Sequence, residues 1–155
     1  MVKQFKLIEP EVAADLHEKL NSLDDAYFVD RSIYNQNKGL KGEVGQYLSM
    51  GPRAMPKELR KTLEALAPKR DFPLTEVLVN KYRKGDFIPA HIDNSGNRHC
   101  LLLSLQDSEE GLSYSKGVLT NQAGWVKELP ASEVHWVEPV QEPRFTVLFL
   151  YGLNF

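Results

Sequence analysis

From Asp71 onward the chain is cut into short strand-forming runs by turn residues, and this limits its fold more than any other feature. The runs cover 76–82, 87–93, 100–106, 111–119, 124–129, 133–137 and 145–151. Their separators include Gly85, Asn94-Ser95-Gly96-Asn97, Asn121 and Pro143, residues whose backbone or side-chain chemistry favours tight turns. Upstream the period is helical. Val12, Leu16, Leu20 and Leu23 make one stripe over 11–23, behind Pro10. Leu59, Leu63 and Leu66 make another over 56–66, opened by Pro56 and stopped by Pro68. Residues 26–29 read as a strand. Residues 31–51, with Gly39, Gly42, Gly45 and Gly51, read as a long loop with at most weak strand content. A loop of that length is a lid or binding segment about as readily as a surface connection. Two helices followed by many short strands predict an α+β, mainly β fold, with the helices packed on a sandwich or barrel.

The length of 155 residues suits one domain, with 1–70 as helical and loop support and 71–155 as the β core. A net charge of −2, with no run of five or more Lys/Arg, disfavours nucleic acid as the partner. The single cysteine, Cys100, excludes an internal disulfide and suits a reducing cytoplasm. Its place in Cys100-Leu101-Leu102-Leu103 predicts a buried, inert thiol. No apolar stretch approaches the ~18 residues of a membrane span, and residues 1–10 lack the apolar core of a signal peptide.

His91-Ile92-Asp93 carries the first chemical signal. On a strand, residues i and i+2 point to one face, so an imidazole and a carboxylate would project together. A distant histidine would complete two histidines and one carboxylate, the set that holds non-haem Fe(II) with open positions. Of the four histidines, His17 lies in the first helix and is expected to be exposed, and His99 borders an apolar run. His135 alone has a suitable partner downstream: Arg144, nine residues on, with Thr146 on the same strand face. Together these two offer a guanidinium fork and a hydroxyl to a carboxylate. A surface charge at a strand edge is the plainer reading of Arg144. The apolar run Val147-Leu148-Phe149-Leu150 argues instead for a buried cation in need of a partner. Asn80 and Tyr82 share a face too. Tyr82 is equally well read as a phenol near the metal pocket or as a core tyrosine. Leu101, Leu103, Val137 and Phe149 are candidate apolar walls.

The segment Asn80-Lys81-Tyr82-Arg83-Lys84-Gly85 leading to His91-Ile92-Asp93 resembles the N-x-Y-x-x-G…H-x-D segment of Fe(II)- and 2-oxoglutarate-dependent dioxygenases, in their prolyl-hydroxylase-like and AlkB-like branches. His135-Trp136-Val137-Glu138-Pro139-Val140 followed by Arg144 resembles the closing segment of the prolyl-hydroxylase-like branch. The resemblance covers residues 76–151, about half of the chain. It implies a double-stranded β-helix (jelly-roll) core, with Fe(II) on His91, Asp93 and His135. It also implies 2-oxoglutarate on Arg144, with Tyr82 and Thr146 as helpers and Asn80 as a weaker match, and O2 as the oxidant. There are departures. The His135–Arg144 interval is one residue short of the usual spacing, and Gly111-Leu112-Ser113-Tyr114 stands where a glycine-richer turn is common. The sequence stops at Phe155 without a C-terminal support helix.

The implied reaction is hydroxylation of a C–H bond, with a protein or peptide side chain, proline first, as substrate, or else a small molecule. An AlkB-like nucleic-acid dealkylase is the alternative within the family. The cation groups available to it are Lys57 with Arg60-Lys61, Lys69-Arg70 and Arg83-Lys84. Outside the family stand a cupin-like metal site, which has no need of Arg144, and a non-catalytic binding module.

Overall fold

The computed structural model describes residues 2–33, 39–93 and 99–152. Two antiparallel sheets face each other. The larger is built from β1 (Lys3–Lys6), β2 (Val29–Asp30), β3 (Leu48–Met50), β4 (Leu74–Tyr82), β6 (His99–Ser104), β9 (Trp125–Glu128) and β11 (Arg144–Tyr151). Its order is β1-β9-β6-β11-β4-β3-β2. The smaller sheet runs β5-β10-β7-β8, from β5 (Ile88–His91), β7 (Ser108–Tyr114), β8 (Gly117–Asn121) and β10 (His135–Val137). This is the jelly-roll core expected from the sequence. Helices α1 (Pro10–Asn21) and α2 (Lys57–Leu66) belong to the layer on the outer face of the larger sheet.

Strand alternation sorts the larger sheet into two faces. Val77, Val79, Leu101, Leu103, Val126, Val147 and Phe149 point outward to Ala13, Leu16, Leu20 and Leu63 of the helices. Isolated helices this short are marginal in water. Packing holds them, since each buried leucine contributes about 1.5–3 kcal/mol. The opposite face turns toward the smaller sheet, where Tyr82, Leu112, Leu119, Leu129, Val137 and Val140 form a second cluster.

Several local expectations are corrected. Val12 is 43% exposed, and Ala13 takes its place in the stripe because α1 begins at Pro10 and turns its 13-16-20 face inward. His17 is half-buried, edge-on to Phe145 with ring centroids 5.4 Å apart. Residues 25–27 form a 3-10 turn, capped by the Asp24 side chain accepting from the Ala26 N–H, so only Val29–Asp30 remains as strand. The run 111–119 is a hairpin rather than one strand: it reverses into Gly117, whose φ of +126° suits glycine. The turn stretch 94–97, Tyr34 and Asn35 of the long loop, and Phe155 lie outside the described residues.

Candidate metal centre and anion pocket

β5 ends at His91 and β10 begins at His135, and the two are paired residues in the antiparallel ladder. Directly opposed side chains of neighbouring strands meet, and these imidazole centroids lie 4.3 Å apart. Asp93 lies past the end of β5, not on it as the sequence rule assumed. Its carboxylate nevertheless reaches both rings, with Oδ1 3.5 Å from His91 Nε2 and Oδ2 3.1 Å from His135 Nε2. Ligand atoms of His91, Asp93 and His135 all lie within 4.8 Å of one another. Adjacent ligands of an ion bound at about 2.1 Å would sit roughly 3 Å apart, so the spacing suits one small cation. The far ring nitrogens are tied down alike. His91 Nδ1 donates to the Pro89 carbonyl at 2.8 Å, and His135 Nδ1 donates to the Glu133 carbonyl at 2.9 Å. That tautomer leaves both Nε2 lone pairs free toward the centre, the arrangement metal-ligating histidines use.

Electrostatics couple the three groups. Burial and the neighbouring His135 hold His91 below its ordinary value. Burial opposes charge on His135 too, but the Asp93 carboxylate outweighs it and raises this imidazole. Burial is also the largest influence on Asp93, and the two histidines overcome it and lower the carboxyl. His135 therefore protonates first on acidification, and forms an ion pair that removes two ligands at once. Affinity for Mn(II) or Zn(II) should decline as pH falls, starting above the ordinary imidazole value of 6.5. Titration of metal binding between about pH 8 and 5.5 checks this, and a flat profile would refute it.

The candidate co-substrate residues lie on the inner face of the larger sheet. Arg144 pairs with Tyr82, and Thr146 with Asn80, across β11 and β4, all on the inner face. Arg144 is 5% exposed. Its Nη2 donates to the Gly111 carbonyl at 3.2 Å, its guanidinium sits 5.2 Å from the centre of the Tyr82 ring, and Glu110 lies 3.9 Å from Nη1. Gly111 has to be glycine, since a Cβ there would fall 1.9 Å from the Leu119 carbonyl oxygen of β8. Arg144 Nε is buried without a partner. Burial lowers the guanidinium's affinity for its proton, with Tyr82 and Glu110 opposing. Asn80 Nδ2 donates to Tyr82 Oη at 3.2 Å, leaving the phenol proton for an acceptor. Burial pushes that phenol up to about 12, so it remains a donor at neutral pH.

The predicted walls are only partly right. Val137 belongs to the inner cluster. Leu101, Leu103 and Phe149 point the other way, into the helix-side core, because the alternation of β6 and β11 places odd-numbered residues outward. Cys100, Leu102, Leu129 and Ala131 instead wall the space beside Asp93 and His135. Cys100 is half-buried there, not enclosed in the core as expected. Tyr47, from the long loop, stacks on Tyr82 at 6.0 Å, and burial raises its phenol. Lys127 and Ser104 on the inner face escaped the sequence reading, and Asn121, expected in a turn, ends β8 and is buried. Lys127 on β9 is 4% exposed and donates to Asn121 Oδ1 at 2.6 Å, and Ser104 Oγ donates to the same oxygen at 3.2 Å. A cleft of about 480 Å³ elsewhere is lined by Phe5, Arg70 and Phe72, and in it Glu128 contacts both Arg70 and His99.

No family model matches the chain, and no curated protein matches it in sequence. Solved structures do match in three dimensions. A prolyl-4-hydroxylase of Pseudomonas putida is similar with a TM-score of 0.66 at 16% identity, over 98% of this chain and 92% of that one. A viral collagen prolyl hydroxylase from Paramecium bursaria Chlorella virus-1, in complex with 2-oxoglutarate, matches at 0.59 and 12%, over 98% and 96%. HygX of Streptomyces hygroscopicus, with nickel, 2-oxoglutarate and hygromycin B bound, matches at 0.70 and 14%, over 99% and 83%. The chain shares the fold of these proteins.

Proposed function

We propose that this chain is an Fe(II)- and 2-oxoglutarate-dependent dioxygenase that hydroxylates a C–H bond. The observation that carries the reading is the convergence of His91, Asp93 and His135, with both imidazoles fixed in the metal-binding tautomer. Fold likeness to two prolyl hydroxylases and to HygX supports it.

Each residue has a definite task. His91, Asp93 and His135 would hold the iron. Iron, 2-oxoglutarate and O2 together supply the oxidising power that removes hydrogen from the substrate, with loss of carbon dioxide and formation of succinate. Arg144 fixes the far carboxylate of 2-oxoglutarate through a charge-assisted pair, which its orphaned Nε awaits. Tyr82 donates its hydroxyl proton, and Asn80 holds that hydroxyl in place. Thr146, cross-strand to Asn80, adds a hydroxyl on the same face. Arg144, Tyr82 and Asn80 are buried, which strengthens their contacts.

The substrate we favour is a peptide side chain, proline first. Likeness to two prolyl hydroxylases supports this choice. The arginine in each cation group a base-repair enzyme would use is already paired. Arg60 pairs with Glu64 on α2, behind the larger sheet, and Arg70 and Arg83 pair with Glu128 and Asp86. A small-molecule substrate is the second reading, favoured by the likeness to HygX with its bound hygromycin B. The test is succinate release from 2-oxoglutarate with Fe(II), on proline-containing peptides, polyhydroxylated small molecules and methylated oligonucleotides in parallel. Peptide-stimulated succinate with a +16 Da product is expected. Oligonucleotide demethylation alone would overturn the substrate, and no 2-oxoglutarate turnover or binding under any condition would overturn the enzyme class.

A further inference from the structure

The larger sheet carries a second buried cation on the face that bears Arg144. Lys127 stands opposite Leu102 of β6 on one side and Gln4 of β1 on the other, so it is enclosed by strands on both flanks. Its ammonium has three hydrogens, and Asn121 Oδ1, the acceptor observed, is shared with Ser104. Asn121 Nδ2 and Arg144 Nε are both buried without partners. Lys127 thus has one recorded acceptor, and a shared one, while Ser104 beside it stands directly across from Thr146 of β11, on the face that bears Arg144. The adjacent Glu128 does not supply a second acceptor, because it faces the other way toward Arg70 and His99. A buried lysine without a carboxylate is a poor choice for packing, where an apolar side chain of similar volume would serve better.

We propose that Lys127 is a binding residue for the co-substrate, joining Arg144 on the far carboxylate of a 2-oxo dicarboxylic acid and selecting it over monocarboxylic 2-oxo acids. The proposal rests on the oxygenase reading above, and adds a residue and a selectivity to it. Burial, then the Arg144 charge, push Lys127 down to about 7, so in the empty pocket it is largely neutral above that pH. Facing it are the Arg144 cation from β11, neutral Asn121 from β8, and neutral Leu102 and Gln4 on the strands beside it. An arriving carboxylate favours the ammonium form, and so ligand binding takes up a proton. The stability sign is fixed as well. Between about pH 7 and 10.5 the unfolded chain holds a proton on this lysine that the folded chain lacks, so stability rises with pH across that window.

Calorimetry on the Mn(II)-loaded protein at about pH 8, in two buffers of different ionisation enthalpy, tests this with 2-oxoglutarate and 2-oxobutyrate. Wild type should take up most of a proton on binding 2-oxoglutarate and should bind 2-oxobutyrate much more weakly. Lys127→Met should lose the proton uptake, bind 2-oxoglutarate at least tenfold more weakly, leave 2-oxobutyrate unchanged, and melt at a higher temperature without ligand. Lys127→Arg, permanently charged, should lose the uptake but retain the preference for the dicarboxylate. Unaltered uptake and selectivity in Lys127→Met would overturn the role of Lys127 alone. Failure of wild type to bind 2-oxoglutarate would overturn the oxygenase reading, and this inference with it.

Discussion

Replacement of Asp93 by alanine should remove divalent-metal binding while leaving the fold in place. The carboxylate is the one ligand that touches both histidines, at 3.5 and 3.1 Å. Losing it leaves two imidazoles, too few to hold Fe(II) or Mn(II) firmly. Changes to the partners of a metal ligand already cost about 10–100-fold in affinity, and loss of a ligand itself should exceed that. Asp93 suits the experiment because its side chain is 44% exposed and lies outside the strands, so its removal opens no core cavity. A second readout follows from the same contact. Without the carboxylate that raises it, the His135 imidazole should titrate lower than in wild type, measurable by NMR. Metal affinity within a factor of a few of wild type would show that the three groups are not a metal site.

Arg144→Ala should weaken 2-oxoglutarate binding by at least about 100-fold with metal affinity unchanged. The guanidinium is buried against Tyr82 and the Gly111 carbonyl, with little water to replace it. Breaking one side of a buried ion pair costs about 3–5 kcal/mol, and about 2.7 kcal/mol corresponds to 100-fold. Metal affinity separates this variant from Asp93→Ala, since Arg144 contacts none of the three ligands among its recorded partners. Equal 2-oxoglutarate affinity in wild type and variant would reduce Arg144 to a structural cation.

The convergence of His91, Asp93 and His135 was legible because its geometry is local. An H-x-D segment and a histidine on the neighbouring strand meet whenever the strands pair in register, and His91 and His135 do. Asp93 arrived at the right place although β5 stops before it. Arg144 was legible because a cation opening an apolar strand has few stable places. The pocket walls were not. β6 and β11 are apolar at nearly every position because both faces of the sheet are covered, so alternation cannot tell Leu102 from Leu101 and Leu103. Lys127 beside Glu128 reads as an ordinary solvent-facing strand pair. Its burial depends on β1, a polar four-residue segment that becomes a strand by pairing with β9 from the far end of the sequence.

The middle position of β11 has a consequence for biosynthesis. This strand joins β4 to β6, yet it is translated after both. Until it emerges from the ribosome, Val77-Leu78-Val79 and Leu101-Leu102-Leu103 each keep an open edge toward the gap that β11 will fill. These two three-residue segments are apolar, uncharged and free of proline, the kind of surface that recruits other chains. The nascent polypeptide thus passes through an interval in which a chaperone has something definite to shield. The strand that ends this interval also delivers Arg144 and Thr146 to the inner face. Sheet closure and the arrival of the buried guanidinium are one event.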